Sequence, residues 1–423
     1  MFKDPDIGKP AEQLKKERYE RIHTAHTLGV PDRVPVTCPI GFFPAKYAGI
    51  PYSAAYYDFE AWYAAYEKAL AEFRPDSFGG MNFTSGKALE MIDPKTQRWP
   101  GHGVDEYHAF QSIEVDGLQA DEFDDYMRDP DDFFLRKQMP RVSDHLAGLG
   151  KIPPLFELLH GPASGTAQRL AMVFSDPDVA KTIALLQEAG REMRKVQPQQ
   201  AKFQQLLNSY GYYPTRMVGA MPPYDDLSHT IRGMAGVMYD MFRQPDKLVE
   251  LCEFICNETL SKAPLVPDEN GEIRIFMTNT RGSDDFMSKK QFDRFYWPTF
   301  KKLVDGLCAK GATPYIFFEG TFDSRVEYLL DLPKGQFVAR FDCTDIFRAK
   351  EILKGHCCIE GNVPSSLLQV GSKDDVIAYC KKLIDLCGKD GGYILSPRSS
   401  TDEVKPENLK AMIDFTKEYG VYR

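Results

Sequence analysis

A single (β/α)8 TIM barrel with an N-terminal helical leader and an inserted loop-rich segment is the fold class that the sequence predicts. Three observations carry this. The chain has 423 residues, enough for one large α/β barrel with additions. Its last third alternates short apolar runs with helical patterns over short connections, so the strands must run parallel, because each crossover needs a helix. No strand-like run is followed by G-x-G-x-x-G or G-x-x-x-x-G-K-[ST], the phosphate-binding turns that would favour an open doubly wound sheet.

The elements follow in order. Ala11 to Leu28 has helical spacing and is stopped by Gly29-Val30-Pro31, which predicts the leader helix. Arg33 to Cys38 reads as a first buried strand, Asp58 to Phe73 as an amphipathic helix, and Ser77 to Asn82 as a second strand. The polar, Asp-rich stretch from about Gly101 to Lys151, broken by Pro130 and Pro140, reads as the insertion, at about residues 100 to 150 of a single domain spanning 1 to 423. Pro154 to Leu159 predicts a strand leading into His160-Gly161-Pro162, and Ala180 to Val196 a helix. Another strand-to-loop junction falls around Met217 to Asp226, before helices at Leu227 to Phe242 and Asp246 to Ala263, the latter opened by Pro245.

In the last third, strands are expected at Glu272 to Thr278, Thr313 to Phe318, Gln336 to Phe341, His356 to Ile359 and Gly392 to Leu395. The helices between and after them are Ser288 to Lys310, Arg325 to Leu330, Asp345 to Lys354, Ser372 to Gly388 and Pro406 to Tyr419. Ser288-Lys289-Lys290-Gln291 has the form of a capping box. Extended back to Val34, the pattern gives about eight βα units.

Composition excludes several function classes. Hydrophobic residues make up 43% and charged residues 27%, which fits a packed soluble protein and not a disordered or membrane-spanning one. With 61 acidic against 52 basic residues, a net charge of -9 and no Lys/Arg stripe, a nucleic-acid partner is disfavoured. The charged start (Glu12, Lys15, Lys16, Glu17, Arg18) does not resemble a signal peptide, and no apolar run reaches about 20 residues. Nine scattered cysteines suit a reducing compartment, so a cytoplasmic location is expected. Cys252 and Cys256 stand one helical turn apart with no second pair nearby and read as a buried helix face.

In such a barrel the active site lies at the C-terminal strand ends. Three carboxylates stand there in succession: Glu319 after Tyr315-Ile316-Phe317-Phe318, Asp342 after Phe341, and Glu360 after Cys357-Cys358-Ile359. Carboxylates that converge repel, so one must be protonated, paired with a cation or bound to a metal, which is how a general acid or a metal site arises. Strand-end acids also cap helices or pair with surface cations. Arg340 is a partner for these acids, and Arg398, after the last strand, can hold an anionic group or brace its loop. His160, Asp225 and Asn279 occupy comparable strand-end positions in earlier units and are candidate substrate-binding residues. His356 begins its strand and is expected at the opposite end of the barrel.

Several short motifs occur in a fixed order: Pro31-Asp32-Arg33-Val34-Pro35, Arg232-Gly233 with Tyr239-Asp240-Met241, Phe286-Met287-Ser288 with Phe295-Tyr296-Trp297-Pro298, Gly361-Asn362-Val363, Gly392-Tyr393-Ile394-Leu395-Ser396-Pro397 and Pro406-Glu407-Asn408-Leu409. In these the chain resembles the uroporphyrinogen decarboxylase superfamily, which implies a (β/α)8 barrel. True porphyrinogen decarboxylases carry an Arg-rich R-Q-A-G-R segment near the N-terminus, where this chain reads Pro39-Ile40-Gly41-Phe42-Phe43-Pro44.

The resemblance then implies the other large branch, cobalamin-dependent methyltransferases. The thiol-methylating members bind zinc through His-x-Cys and a later Cys; here those positions hold Phe317, Glu319 and Ser399, which excludes a thiolate-holding zinc site of that composition. Carboxylates suit oxygen chemistry. The resemblance implies an O-demethylase methyltransferase component that passes a methyl group from a small methoxylated compound, expected to be aromatic, to Co(I) of a partner corrinoid protein. Glu319, Asp342 and Glu360 are the candidate catalytic residues and, if zinc is bound, the candidate metal ligands. Cobalamin belongs to the partner, because no D-x-H-x-x-G motif surrounds His23, His102, His145 or His229. A homodimer is a further expectation. The alternatives are a decarboxylase or lyase acting on a small carboxylic acid and a non-catalytic barrel that binds a corrinoid protein or a ligand without turnover.

Overall fold

The computed structural model describes residues 4–422 except 81–83, 160, 161, 214–216 and 400. Eight parallel strands lie in sequence order: β1 (Thr37–Cys38), β2 (Ser77–Phe78), β3 (Met217–Gly219), β4 (Ile273–Asn279), β5 (Ala312–Phe318), β6 (Val338–Phe341), β7 (Cys358–Glu360) and β8 (Tyr393–Ile394). β3 to β8 form one six-stranded sheet and β1 with β2 a second. A parallel bridge between Val36 and Leu395 joins them, with Thr37 N donating to Leu395 O at 3.0 Å and Leu395 N to Pro35 O at 2.9 Å. The expected closed barrel differs at one junction: among the described residues no strand pairing joins β2 to β3.

β5 is buried at all but Thr313 and Tyr315, and β6 and β7 are buried at every position, the mark of strands covered on both faces. Their register places Thr278, Phe317, Arg340, Glu360 and Ile394 side by side. Because side chains alternate every residue, Glu319 and Asp342 share that concave face one layer nearer the C-terminal rim. Around the sheet pack Pro245–Lys262, Trp297–Ala309, Ile346–Leu353, Lys373–Leu383 and Pro406–Tyr419. The capping box at Ser288 is formed, with Gln291 N 3.3 Å from Ser288 Oγ and Ser288 N 2.9 Å from Gln291 Oε1.

The leader helix α1 (Ala11–His26) closes the floor. Its Ile22 and Ala25 pack against Tyr213, Val338, Cys358 and Ile394, the N-terminal ends of the strands. A buried ion cluster locks it there. Asp76, 0% exposed, accepts Arg33 Nη1 and Nη2 at 2.7 and 2.8 Å, Arg21 Nη1 at 2.7 Å and Val36 N at 2.9 Å. Four donors and two cations hold its carboxyl far below the usual carboxylate range despite burial.

The segment between β2 and β3 departs most from expectation. It is far longer than residues 100 to 150 and largely helical, with Gly86–Ile92, a small sheet (Gln97–Pro100, Gly103–Val104, Gln111–Ser112), Pro177–Arg194 and α2 (Gln197–Ser209). Leu146, Leu149, Ile152 and Val179 give it a small core of its own. The strand expected at Pro154 to Leu159 is a 3-10 turn, Leu155–Leu159. Pro153 and Pro154 remove backbone donors, and Leu155 and Leu159 remain exposed, so nothing rewards pairing. The helix expected at Leu227 to Phe242 is broken at Gly233, whose φ of 78° only glycine adopts freely. Among the described residues no helix is long and apolar enough to cross a membrane.

Candidate active site

A cavity of about 840 Å³ opens along the concave face, lined among others by Thr37, Pro39, Phe78, Met217, Tyr315, Arg340 and Glu360. This is within the usual range for small-molecule sites. Glu360 is 2% exposed at the end of β7. Thr37 Oγ1 donates to its Oε1 at 2.7 Å and the Tyr315 hydroxyl donates to its Oε2. Burial raises its carboxyl to about 7, with the hydroxyl donors from Thr37 and Ser396 pulling back only in part. Near pH 7 Glu360 is therefore poised between its protonated and ionised forms, so it can hold a proton and give it up, the property of a general acid.

Arg340 stands beside it on β6, 7% exposed, with its guanidinium 4.6 Å from the Phe317 ring. Nη2 donates to Pro397 O at 3.3 Å and to Arg398 O. Nε lies 3.7 Å from Glu360 Oε1, outside hydrogen-bond reach, and has no partner. Burial lowers Arg340 to about 10, against the pull of the Asp342 and Glu319 carboxylates, so it remains a cation at neutral pH. His26, reaching the cavity from α1, is pushed down to about 3 by burial and by Arg274 and is neutral.

The three predicted carboxylates share the concave face but not one point. Asp342, 8% exposed, accepts Gly320 N at 3.1 Å. Glu319, half-buried, accepts Thr280 Oγ1 at 3.2 Å. Both lie one layer above Glu360. The expectation that they serve together as metal ligands is corrected by this stagger: among the described residues, no group of three or more His, Cys, Asp or Glu side chains can hold a metal ion. The donor set does not fit zinc.

Other predicted positions separate into structural and open. Asp225, 0% exposed, accepts Thr280 N at 3.2 Å, Arg281 N at 2.8 Å and the Tyr296 hydroxyl. It braces the loop after β4 and does not face the cavity, which corrects its assignment to substrate. Asp225→Ala is expected to cost about 2 kcal/mol, the loss of charge-assisted bonds to buried donors, read as a lowered midpoint in urea. Asn279 is 1% exposed and lies on the opposite face of β4 from Arg274 and Phe276, which line the cavity; its assignment to substrate is corrected on the same ground. His160 lies outside the described residues.

Arg398 stands at the rim, its Nη1 3.7 Å from the sulfur of Cys343, which is exposed. His356 Nε2 lies 3.1 Å from Leu332 O, at the opposite end as expected. Sequence reasoning missed Thr37, Tyr315 and His26. The available signal was alternation: Tyr315 precedes Glu319 by four residues in one strand and so shares its face.

The family model described as uroporphyrinogen decarboxylase (URO-D) matches residues 216–419. That stretch is a URO-D domain. It carries β3 to β8, hence Tyr315, Arg340 and Glu360, while Thr37 and the floor helix come from outside the matched residues. The superfamily implied by the sequence motifs is thereby borne out. No curated protein matches the chain. A methyltransferase from Methanosarcina mazei has a similar solved structure, with a TM-score of 0.54 over 96% of this chain and 98% of that one. At 15% identity the likeness is one of fold.

Proposed function

We propose that the chain is a (β/α)8-barrel methyltransferase component that removes the methyl group of a small methoxylated aromatic compound. The observation that carries this reading is Glu360: a buried carboxyl raised to about 7, bonded to Thr37 and Tyr315, next to the partly unpartnered cation Arg340. Breaking an aryl methyl ether leaves an aryloxide, and a proton donor and a cation side by side are what that oxygen needs. A partner protein's corrinoid would supply Co(I), the nucleophile that takes the methyl carbon. This chain's residues do the rest. The cavity walls orient the ring and exclude water. Glu360 transfers its proton to the leaving oxygen as the C–O bond breaks and is left as a carboxylate. Arg340 stabilises the negative charge in transit. The rim, with Glu319 half-buried and Cys343 exposed, is open to a macromolecular partner.

Of the three candidate carboxylates, Glu360 takes the leaving-group role in this reading. Decarboxylation of a small acid is the second reading, favoured by the same Arg340, which would hold a carboxylate beside a proton donor. A mixture of the chain, a Co(I) corrinoid protein and methoxylated aromatics separates them. Loss of the Co(I) absorbance that depends on both chain and ether supports methyl transfer. Carbon dioxide release from an aryl acid without corrinoid would replace it with the second reading.

A further inference from the structure

Four side chains lining the cavity carry a buried polar atom without a hydrogen-bond partner: His26 Nε2, Gln204 Nε2, the Tyr212 hydroxyl and Arg340 Nε. Leaving such an atom unpaired costs about 1–3 kcal/mol, and native proteins rarely leave several together. These side chains offer polar contacts to a molecule bound in the cavity. Gln204 Nε2 and Arg340 Nε can only donate and a tyrosine hydroxyl readily does, so a ligand that presents oxygen acceptors complements these three.

These atoms do not belong to one locus. Across the eight strands the order is β2-β1-β8-β7-β6-β5-β4-β3, which puts Glu360 and Arg340 on the two central strands. Gln204, on α2, and Tyr212, just after it, line the cavity together with Phe78 of β2 and Met217 of β3, the two end strands. They form the wall opposite the proton donor. Tyr212 is 4% exposed, with the Arg18 guanidinium 4.1 Å above its ring and Phe78 edge-on at 6.0 Å, so its hydroxyl is held in place.

We propose that Gln204 and Tyr212 form a second recognition point that binds an oxygen acceptor on the far end of an aromatic ether whose methoxy oxygen lies at Glu360. This deepens the methyl-transfer reading and rests on it for the ether's orientation. The substrate class is thereby narrowed to methoxylated aromatics bearing a carbonyl, carboxylate or similar acceptor away from the methoxy group.

The test is calorimetric titration of the full chain with 4-methoxyacetophenone and 4-ethylanisole, which are alike in size and differ in the far carbonyl. Neither is charged, so Arg340 does not bias the comparison. The ketone is expected to bind about tenfold tighter, the equivalent of about 1.4 kcal/mol. Gln204→Leu with Tyr212→Phe is expected to close the gap to within twofold. Tyr212→Phe alone, which keeps the ring under Arg18, is expected to narrow it. Equal or absent binding of the two probes to the unaltered chain, or a gap that survives in the double variant, overturns the proposal. A gap that closes as expected, with no consumption of Co(I), upholds this recognition point and sinks methyl transfer. Equal turnover of both probes with Co(I) consumed does the reverse.

Discussion

Glu360→Gln is expected to slow methyl transfer at pH 7 by about 10²- to 10⁴-fold, the usual contribution of a positioned general acid. Glutamine keeps an oxygen for Thr37 Oγ1 and differs from the protonated acid mainly in having no proton to give. Glu319→Gln, one layer away, is expected to cost less than about tenfold on the same scale. Comparable losses in the two variants would remove the distinction between them. The pH profile gives a second readout. The required form is protonated, and burial holds the group at about 7, so the rate should fall as pH rises through about 7, and Glu360→Gln should lack that limb. The same shift has a sign for stability. A carboxyl whose folded value lies above its ordinary 4.5 favours folding in its protonated form. That contribution is present below about pH 4.5 and is lost as pH rises through about 7. Thermal melts at pH 5 and pH 8 should therefore differ more in the unaltered chain than in Glu360→Gln.

Asp76→Ala is expected to be the most destabilising of the changes considered, at about 3–5 kcal/mol, because it removes the buried counter-charge that Arg21 and Arg33 share and leaves Arg21 with Asp32 and Arg33 with Asp6, 3.7 Å away. Urea unfolding of the full chain measures it. A cost under about 1 kcal/mol, the value of an exposed pair, would mean that the cluster does not fasten the leader helix. The pH dependence runs opposite to that of Glu360. The Asp76 carboxyl is held below its ordinary 3.8 in the folded chain, so its contribution is present above that value and is lost as pH falls through the lowered folded one. An acid-induced loss of stability below about pH 4 should be blunted in Asp76→Ala.

The part of the fold that could be read from the sequence was the part where local and tertiary signals agree. From Ile273 onward the strands are short and largely buried and several helices carry their own start signal, such as the capping boxes at Ser288 and Ser372; the helix expected at Arg325 to Leu330 is instead a 3-10 helix, Asp323–Asp331. Pro406–Tyr419 falls where periodicity placed it. In the segment between β2 and β3 the helix expected at Ala180 to Val196 is present as Pro177–Arg194, whereas the run Leu155–Leu159 is too short to tell strand from turn without its neighbours. At the site, Glu360 and Arg340 were legible because strand ends are identifiable. Asp225 was misplaced because sequence does not reveal which way a residue beyond a strand's last pair turns; Asn279 ends β4 on the face opposite Arg274 and Phe276, so alternation alone excludes it from the cavity. Thr37 and Gln204 come from segments far apart along the chain and meet only through the tertiary fold.

The helix α2 stands between β2 and β3. The central strands are tied to their neighbours by backbone hydrogen bonds, so altering them disturbs the scaffold. The α2 wall contributes to the cavity through side chains such as Phe203, Gln204 and Leu207, and changing these leaves every strand ladder intact. Substitutions at Gln204 or Leu207 therefore reshape one wall of the cavity from a segment that carries neither Arg340 nor Glu360.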